Sequence, residues 1–439
     1  MKKLNRRAVI KAVAVSSVAV PVASSLTGCV TDGVKSQTEA NPAGSNIRVV
    51  VIGGGFGGTS CAKYLKRFDG NIEVTLVEPK KTYMTCPGSN WYLAGLTDAK
   101  SITHDYTSLS DIHGVNVVHQ RVSNIDAAAK SVSLEDGTIL GYDRLVVSPG
   151  IDFKYEMIEG YSEADVDKIP HAYQAGPQTE LLYKQIREMK QGGTFVIAPP
   201  PNPFRCPPGP YERVSMIADY FKKNNPTAKI IVLDSKNKFS KQKLFQEGWD
   251  ALYGDMIEWI PAIDGGVVTK VDVATKTVYS EYETIKADVI NLIPPQKAGK
   301  LAFDAGLTKG DWCPINQETF ESTIHRGIYV IGDSSIAGKM PKSGHSAASQ
   351  GKMCAAAMVS DIHNWAQPRP KNVNTCYSLV GSDYGISVAA VYELHDGVIG
   401  KVKGAGGVSP MGADDAFRKM ESNYARGWYK SITADIWHS

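Results

Sequence analysis

The stretch from Ile47 to Gly58, IRVVVIGGGFGG, decides the fold of this 439-residue chain. Its first six residues form a near-continuous β-branched run, which is the pattern of a strand buried on both faces of a parallel sheet. The glycines that follow have the spacing Gly53-x-Gly55-x-x-Gly58. In a dinucleotide-binding turn these three glycines permit the tight turn, the close approach of a pyrophosphate and the packing of the next helix, respectively. The stretch therefore predicts a strand, a phosphate loop and a helix, in that order.

Two further motifs identify the dinucleotide. A second strand, Glu73 to Val77, ends at Glu78, which lies 25 residues after the first glycine of the loop and is placed to bind ribose hydroxyls. Far downstream, a short apolar strand ends in Gly332 and Asp333. This resembles the FAD-binding element of flavoproteins that have two dinucleotide domains, in which the aspartate holds the ribityl chain. The cofactor is therefore predicted to be FAD.

The middle of the chain contains a second α/β unit with an altered loop. Strands are predicted at Thr194 to Ala198 and at Lys229 to Leu233, with a helix between them. The stretch from Phe204 to Glu212, FRCPPGPYE, stands where the phosphate loop of this unit belongs, and the residues from Thr194 to Pro208 include six prolines and no glycine. Proline lacks the backbone donor that a pyrophosphate needs, so the NAD site of this half is predicted to be lost. Cys206 lies on this turn beside a helix N-terminus, which would stabilise a thiolate and attract an anion such as HS⁻.

Three cysteines accompany these motifs. Cys86 follows Glu78 by eight residues, Cys206 lies in the proline-rich turn, and Cys313 precedes the returning FAD-binding segment. With cysteines in this setting, the chain resembles the flavoprotein subunit of flavocytochrome c sulfide dehydrogenase. Other cysteines, Cys61, Cys354 and Cys376, are interpreted as small buried side chains without assigned chemistry.

The resemblance implies roles for these residues. Cys86 would be the covalent attachment point of FAD, Cys206 and Cys313 would form a redox disulfide beside the flavin, and Glu212 would handle protons. Hydrosulfide would attack the disulfide to give a persulfide and a thiolate, and two electrons would pass to FAD. The chain has no Cys-x-x-Cys-His motif, so a separate c-type cytochrome subunit is expected to take the electrons. A purely structural disulfide is the alternative, since an oxidising compartment also favours one.

The first residues indicate export. Arg6 and Arg7 precede a weakly apolar run, Ala8 to Ala23, which resembles a twin-arginine signal and predicts a periplasmic protein. The run ends in Leu26-Thr27-Gly28-Cys29, which resembles a lipobox. Lipidation of Cys29, the only predicted link to a membrane, and plain cleavage nearby are both open.

Composition and pattern then give the architecture. Without the five cations of the first 11 residues the net charge of +3 becomes about −2, so nothing in the charge favours a nucleic-acid partner, and no metal site is predicted.

The expected fold is α/β, with two Rossmann-like domains and a small C-terminal α+β domain. The boundaries are a signal at 1–29, a linker at 30–45, a discontinuous FAD domain at 46–155 and 300–365, a second Rossmann-like domain at 156–299, and a flavin-site and interface domain at 366–439.

The predicted activity is oxidation of sulfide with transfer of electrons to cytochrome c. Three alternatives remain open at the level of sequence: a sulfide:quinone oxidoreductase, a pyridine-nucleotide disulfide reductase, and a flavoprotein that serves as a binding module without enzymatic activity.

Overall fold

The computed structural model describes residues 46–439, so the predicted export signal, Cys29 and the linker lie outside the described residues. Within that range, no helix is long and apolar enough to cross a membrane. Residues 46–439 also contain no group of three or more His, Cys, Asp or Glu side chains that could hold a metal ion.

The helices of the described part are α1 (Phe56–Phe68), α2 (Ser89–Ala94), α3 (Thr107–Asp111), α4 (Pro177–Glu188), α5 (Gly209–Asn224), α6 (Gln242–Tyr253), α7 (Lys300–Asp304), α8 (Gly344–Ile362) and α9 (Asp415–Thr433). A π-helical turn, Ala434–His438, follows α9.

The first half of the strands comprises β1 (Arg48–Ile52), β2 (Glu73–Val77), β3 (Thr82–Met84), β4 (Thr103–Asp105), β5 (Asn116–Val118), β6 (Val122–Asp126), β7 (Ser131–Leu134), β8 (Ile139–Gly141), β9 (Arg144–Val147), β10 (Ile151–Phe153) and β11 (Thr194–Ala198). The second half comprises β12 (Lys229–Leu233), β13 (Ile257–Ile260), β14 (Val268–Asp272), β15 (Thr277–Ser280), β16 (Thr284–Lys286), β17 (Val289–Leu292), β18 (Gln296–Ala298), β19 (Ile328–Val330), β20 (Lys371–Gly381), β21 (Tyr384–His395) and β22 (Val398–Val408).

A five-stranded parallel sheet in the order β19-β9-β1-β2-β5 contains the predicted dinucleotide-binding strand at its centre. Val49, Val50 and Val51 of β1 are at most 3% exposed, because β1 is covered on both faces. Helix α8 packs closely against α1: a Cβ added at Gly351 would lie 2.4 Å from the carbonyl oxygen of Gly57. This arrangement places the loop after β1 and the turn after β19 at the same edge of the sheet.

A four-stranded parallel sheet in the order β13-β12-β11-β17 forms the middle of the chain. Strands β11 and β12 have the bounds that the sequence predicts, and α5 follows the proline-rich turn as expected. The second Rossmann-like unit is therefore confirmed as a fold. The two small sheets β6-β7-β8 and β14-β15-β16 are antiparallel additions to the two halves.

The C-terminal part is a three-stranded antiparallel sheet, β20-β21-β22, covered by α9. A Cβ added at Gly385 would lie 2.4 Å from the backbone nitrogen of Ser422, so glycine lets β21 approach α9 closely. The π-helical turn then inserts Trp437, which is fully buried, against the ring of Phe56 at the start of α1, with ring centroids 5.1 Å apart. The predicted α/β class with a small C-terminal unit is confirmed, while the exact domain boundaries stay a prediction.

Candidate active site

The glycine loop after β1 has the geometry that a dinucleotide requires. Gly53 adopts a φ of +99°, and a Cβ there would lie 2.3 Å from the carbonyl oxygen of Ser148. A Cβ at Gly58 would lie 1.9 Å from the carbonyl oxygen of Gly53, so only glycine allows the helix to start so close to the loop. Gly55 is the N-cap of α1, and no side chain within residues 46–439 caps this helix. The first-turn amides of α1 are therefore available to a phosphate group.

Glu78 lies at the end of β2, beside that loop. Its Oε2 accepts a hydrogen bond of 2.8 Å from the backbone nitrogen of Gly54, and its Oε1 accepts one of 3.0 Å from the backbone nitrogen of Lys80. Each carboxylate oxygen can accept a further hydrogen bond. The position thus agrees with the predicted contact to ribose hydroxyls, and Glu78 also holds the loop in place.

Asp333 supplies the clearest sign that a polar ligand belongs here. It follows Gly332 directly after β19, and its Oδ1 is buried without a hydrogen-bond partner. A buried carboxylate oxygen without a hydrogen-bond donor lowers the stability of the fold, because its lost hydration is not replaced. A ligand hydroxyl that donates to this oxygen would restore that free energy. The glycine cradle, the uncapped first turn of α1 and the orphaned oxygen of Asp333 together fit FAD.

Cys86 lies in a short loop between β3 and α2, and it lines a cavity with Tyr173, Arg205 and Cys206. Its Sγ lies 3.8 Å from the carbonyl oxygen of Tyr173 and 3.9 Å from Nη1 of Arg205. The structure thus brings together two of the three cysteines to which the sequence gives chemistry. Arg205, which lines the same cavity, donates from its Nε to Oδ2 of Asp333 (2.6 Å).

Cys206 is held rigidly at the turn before α5. Its φ is +53°, an uncommon value for a residue with a side chain. Its backbone nitrogen donates to the carbonyl of Lys342 (2.7 Å), and its carbonyl accepts from the backbone nitrogen of Gly209 (2.7 Å) and from the hydroxyl of Tyr173 (3.1 Å). These bonds fix the thiol at the cavity.

The electrostatics at Cys206 differ from the sequence-based expectation of a stabilised thiolate. Burial raises the pKa of the Cys206 thiol well above its ordinary value, and Cys376, Glu212 and Cys86 raise this pKa further, while the cation of Lys241 lowers it. Burial is the largest cause of this shift in the pKa of Cys206, and it acts against the thiolate form. A free thiol at this position is held in its neutral form.

Cys376 is the cysteine that the sequence analysis left without a role. It lies on β20, where Nζ of Lys241 donates to its carbonyl (3.2 Å) and to the hydroxyl of Ser378 (2.8 Å). Burial raises the pKa of its thiol, as does the carboxylate of Glu212, whereas Lys241 lowers it. Cys206 and Cys376 thus share Lys241 and Glu212 as charged neighbours, and Cys376 is the ionisable side chain with the largest effect on Cys206.

Glu212 lies between the two elements that carry these cysteines. Its Oε1 accepts from the backbone nitrogen of Leu379 (2.9 Å) and from Nε1 of Trp91 (3.1 Å), and its Oε2 accepts from Nδ2 of Asn90 (3.0 Å). Burial nevertheless raises the pKa of the carboxyl group above its ordinary value. A carboxyl group with a raised pKa beside two sulfurs is suited to accept and release a proton.

Cys313 does not share Lys241 and Glu212, the charged neighbours of Cys206 and Cys376. It is fully buried, and its backbone bonds to Ser334 and Ile336 within the FAD-binding half. Burial raises the pKa of its thiol to about 12, opposed by the cation of Lys342. The cysteine with the largest effect on Cys206 is Cys376, on β20, whereas the sequence-based pairing of Cys206 with Cys313 stays a prediction. All six cysteines of residues 46–439 are free thiols in the structure.

In the second Rossmann-like unit, neighbouring side chains bind the acid that follows β12. Asp234, at the end of β12, accepts hydrogen bonds from the hydroxyl of Tyr211 (2.6 Å), Nε1 of Trp259 (3.0 Å) and Nζ of Lys236 (2.7 Å). The ring of Tyr211 stacks on Phe239 with centroids 3.6 Å apart. The acid that would bind a ribose is therefore fully engaged, which favours the predicted loss of the NAD site.

Comparisons with known proteins agree with this arrangement. Residues 179–294 match the family model of the central part of the flavoprotein chain of sulfide dehydrogenase [flavocytochrome c], and residues 368–437 match that of the flavin-binding part of flavocytochrome c sulphide dehydrogenase. Residues 47–181 match the pyridine nucleotide-disulphide oxidoreductase model.

Individual relatives divide between two acceptor types. The chain is 67% identical over 43 residues to the sulfide dehydrogenase [flavocytochrome c] flavoprotein chain of Chlorobaculum thiosulfatiphilum, which is 10% of this chain and 90% of that sequence. It is 24% identical over 305 residues to the mitochondrial sulfide:quinone oxidoreductase of Mus musculus, and this match spans 66% of either chain. The crystal structure of the sulfide:quinone oxidoreductase of Aquifex aeolicus has the same fold, with a TM-score of 0.68 at 16% identity over 89% of this chain and 92% of that chain.

Proposed function

The chain belongs to the family of flavocytochrome c sulfide dehydrogenase flavoprotein chains, and on this premise we propose that it oxidises sulfide at Cys206 and Cys376 and passes the electrons to FAD. The observation that carries the proposal is the cluster of Cys206, Cys376 and Glu212, next to the cavity that Cys86 lines. In its oxidised form the pair is a disulfide between Cys206 and Cys376.

The first step is thiol–disulfide chemistry. Hydrosulfide attacks one sulfur of the pair, so that a new S–S bond forms a persulfide and the old S–S bond breaks to release the other sulfur as a thiolate. Lys241 lies where it stabilises the negative charge of that thiolate, since its cation lowers the pKa of both Cys206 and Cys376. Glu212 takes the proton of the attacking sulfide and releases it before the next cycle begins.

The cofactor would be held by the residues described above. The pyrophosphate would lie on the loop formed by Gly53, Gly55 and Gly58. Glu78 would bind the ribose, and the buried Oδ1 of Asp333 would accept a hydrogen bond from a hydroxyl of the ribityl chain. When bound, FAD would accept the two electrons that are released when HS⁻ is converted to one proton and one sulfur atom at the oxidation level of elemental sulfur. A second hydrosulfide ion carries the oxidised sulfur away as HSS⁻, and re-formation of the disulfide returns the protein to its starting state.

Covalent attachment of FAD through Cys86 is part of the proposal. Cys86 is partly exposed at the cavity, in a loop that hydrogen bonds hold: its carbonyl accepts from Oγ of Ser89 (2.7 Å) and from the backbone nitrogen of the same residue (3.0 Å). The mass of the acid-denatured protein tests it. An adduct of FAD mapped to Cys86 supports the proposal, and flavin that is fully released by acid refutes it.

We propose a c-type cytochrome as the electron acceptor, because the matched family models carry flavocytochrome c in their names. Quinone is the second candidate, because the mouse relative is a sulfide:quinone oxidoreductase. Steady-state turnover with sulfide and either a soluble cytochrome c or a short-chain quinone in detergent separates them. Reduction of cytochrome c supports the first acceptor, and turnover with quinone alone supports the second.

We also propose that the protein is exported to the periplasm through the twin-arginine route. The paired residues Arg6 and Arg7 before an apolar run support this. Replacement of both arginines by lysine should leave the protein in the cytoplasmic fraction, whereas unchanged export of that variant would refute the route. Mass analysis of the mature N-terminus decides between lipidation of Cys29 and plain cleavage.

A further inference from the structure

Arg205 is placed to act on the sulfur of Cys86. Its Nη1 lies 3.9 Å from Cys86 Sγ and donates to the carbonyl oxygen of Tyr173 (3.2 Å), while its Nε donates to Oδ2 of Asp333 (2.6 Å). The side chains of Arg205 and Asp333 are only 15% and 10% exposed. A buried guanidinium group next to a sulfur atom stabilises negative charge that develops on that sulfur when it acts as a nucleophile.

The surroundings hold the guanidinium group in this position. The backbone nitrogen of Arg205 donates to Oε1 of Gln296 (2.8 Å), which fixes the start of the side chain. A Cβ at Gly150 would lie 2.8 Å from Nη2 of Arg205, so the glycine leaves room for the group. Burial opposes the charge, but Asp333 and Cys86 raise the pKa of Arg205 above its ordinary value, so the group stays cationic.

A second arginine nearby does not serve the same purpose. The guanidinium group of Arg213 donates its hydrogen bonds to neutral oxygen atoms. These acceptors are Oδ1 of Asn90 (3.1 Å), the carbonyl of His171 (2.9 Å), Oδ1 of Asn291 (2.8 Å) and the carbonyl of Ala172 (2.7 Å). Arg205, in contrast, directs an N–H to the sulfur itself. Asp333 both orients Arg205 and can contact the cofactor. Its Oδ2 accepts the hydrogen bond from Arg205, and its Oδ1 has no partner and is left for a cofactor hydroxyl.

We propose that Arg205 is a catalytic residue for covalent attachment of FAD, which it promotes by placing a cationic N–H group against Cys86 Sγ, where it stabilises negative charge on the sulfur during attack. This inference rests on the proposed attachment through Cys86. The new bond joins Cys86 Sγ to the 8α-methyl carbon of the flavin, and that carbon loses one proton. The flavin ring keeps the electron pair of the broken C–H bond. The electron acceptor of the proposed activity then removes this pair one electron at a time, and in the experiment below dioxygen removes it.

The test uses the full chain, produced in riboflavin-limited cells and then supplied with FAD in air. Acid precipitation at intervals separates covalent from released flavin. Arg205→Gln should attach FAD roughly tenfold or more slowly than the wild type at neutral pH, and alkaline pH should restore part of the rate because hydroxide then generates the thiolate. Arg205→Lys should lie between the two. Arg144→Gln, which removes a remote ion pair with Asp361 (2.7 Å), should match the wild type.

A second measurement needs no bound cofactor. Alkylation of Cys86 by iodoacetamide in the FAD-free full chain, followed by peptide mass analysis, should be roughly tenfold slower in Arg205→Gln at neutral pH. Unchanged alkylation and unchanged attachment rates in this variant would overturn the role of Arg205. If Arg205→Gln does not fold, the same two rates in Arg205→Lys decide. Wild-type protein without an adduct on Cys86 would overturn the proposed attachment itself, whereas sulfide-dependent turnover would still report on the proposed activity.

Discussion

Glu212 accepts a hydrogen bond of 2.9 Å from the backbone nitrogen of Leu379. This bond joins the first turn of α5, which follows Cys206, to β20, which carries Cys376. A buried carboxylate that bonds to a backbone donor fixes the relative position of the two elements more firmly than apolar packing alone. The segments that carry the two cysteines are therefore joined by a hydrogen bond between residues 167 positions apart in sequence.

This relationship predicts where a disulfide forms. Peptide mapping of the purified, non-reduced protein should yield Cys206 and Cys376 in one linked peptide pair, with Cys313 recovered as a free thiol. The physical reason is that Cys313 is fully buried within the FAD-binding half, whereas Cys206 and Cys376 are both partly exposed. A linked pair of Cys206 and Cys313 would restore the sequence-based expectation and contradict the assignment of Cys376.

The glycine loop predicts how cofactor binding fails. Gly58→Ala places a Cβ 1.9 Å from the carbonyl oxygen of Gly53, so the loop or α1 must move away from the position that a pyrophosphate needs. We expect a large loss of flavin per chain and destabilisation of about 1–3 kcal/mol from overpacking. Gly70→Ala is the matched control, because a Cβ there has no neighbour within 4 Å. Flavin content at the wild-type level in Gly58→Ala would disprove the role of this loop.

The buried His104 predicts a dependence of stability on pH. Its Nδ1 lies 2.8 Å from Nε2 of His438 and its Nε2 lies 3.1 Å from the hydroxyl of Tyr429. Burial, with a smaller effect of His438, lowers the pKa of His104 from 6.5 to about 4, against the opposite effect of Asp105. Between pH 6.5 and pH 4 the unfolded chain therefore binds more protons at His104 than the folded chain does. The contribution of neutral His104 to the free energy of unfolding is complete above pH 6.5 and is lost as the pH falls towards 4.

His104→Gln should reduce that acid sensitivity. Urea unfolding at a series of pH values should show a shallower fall in the free energy of unfolding for the variant between pH 6.5 and 4. His395→Gln is the control, since the side chain of His395 is 55% exposed. The same slope in His104→Gln and in the wild type would show that His104 does not account for the effect.

Much of the fold was predictable from the sequence because it rests on local patterns. The β-branched run before Gly53 predicts β1, the spacing to Glu78 predicts β2, and both are confirmed. The strands on either side of the proline-rich turn have the predicted bounds for the same reason. Asp333 was also predictable, since it directly follows a short strand, and its orphaned Oδ1 agrees with a cofactor contact.

The pairing of the cysteines was not predictable in the same way. It depends on which strand of the C-terminal sheet packs against α5, and no local pattern contains that information. Cys376 lies in a predicted strand, where a cysteine is interpreted as a small core residue, and the resemblance to the family implies Cys313 as the partner of Cys206. The role of Arg205 was equally hidden, since its contacts to Cys86 and Asp333 span 119 and 128 residues.

The most direct test of the account is anaerobic stopped-flow titration of the oxidised protein with sulfide, monitored by the flavin absorbance. The wild type and Cys313→Ser should both be reduced by sulfide, whereas Cys206→Ser and Cys376→Ser should retain bound FAD and lose sulfide-dependent reduction, because attack on a disulfide requires both sulfurs. Rapid reduction of the flavin by sulfide in Cys376→Ser would contradict the central claim that Cys206 and Cys376 form the sulfide-oxidising pair.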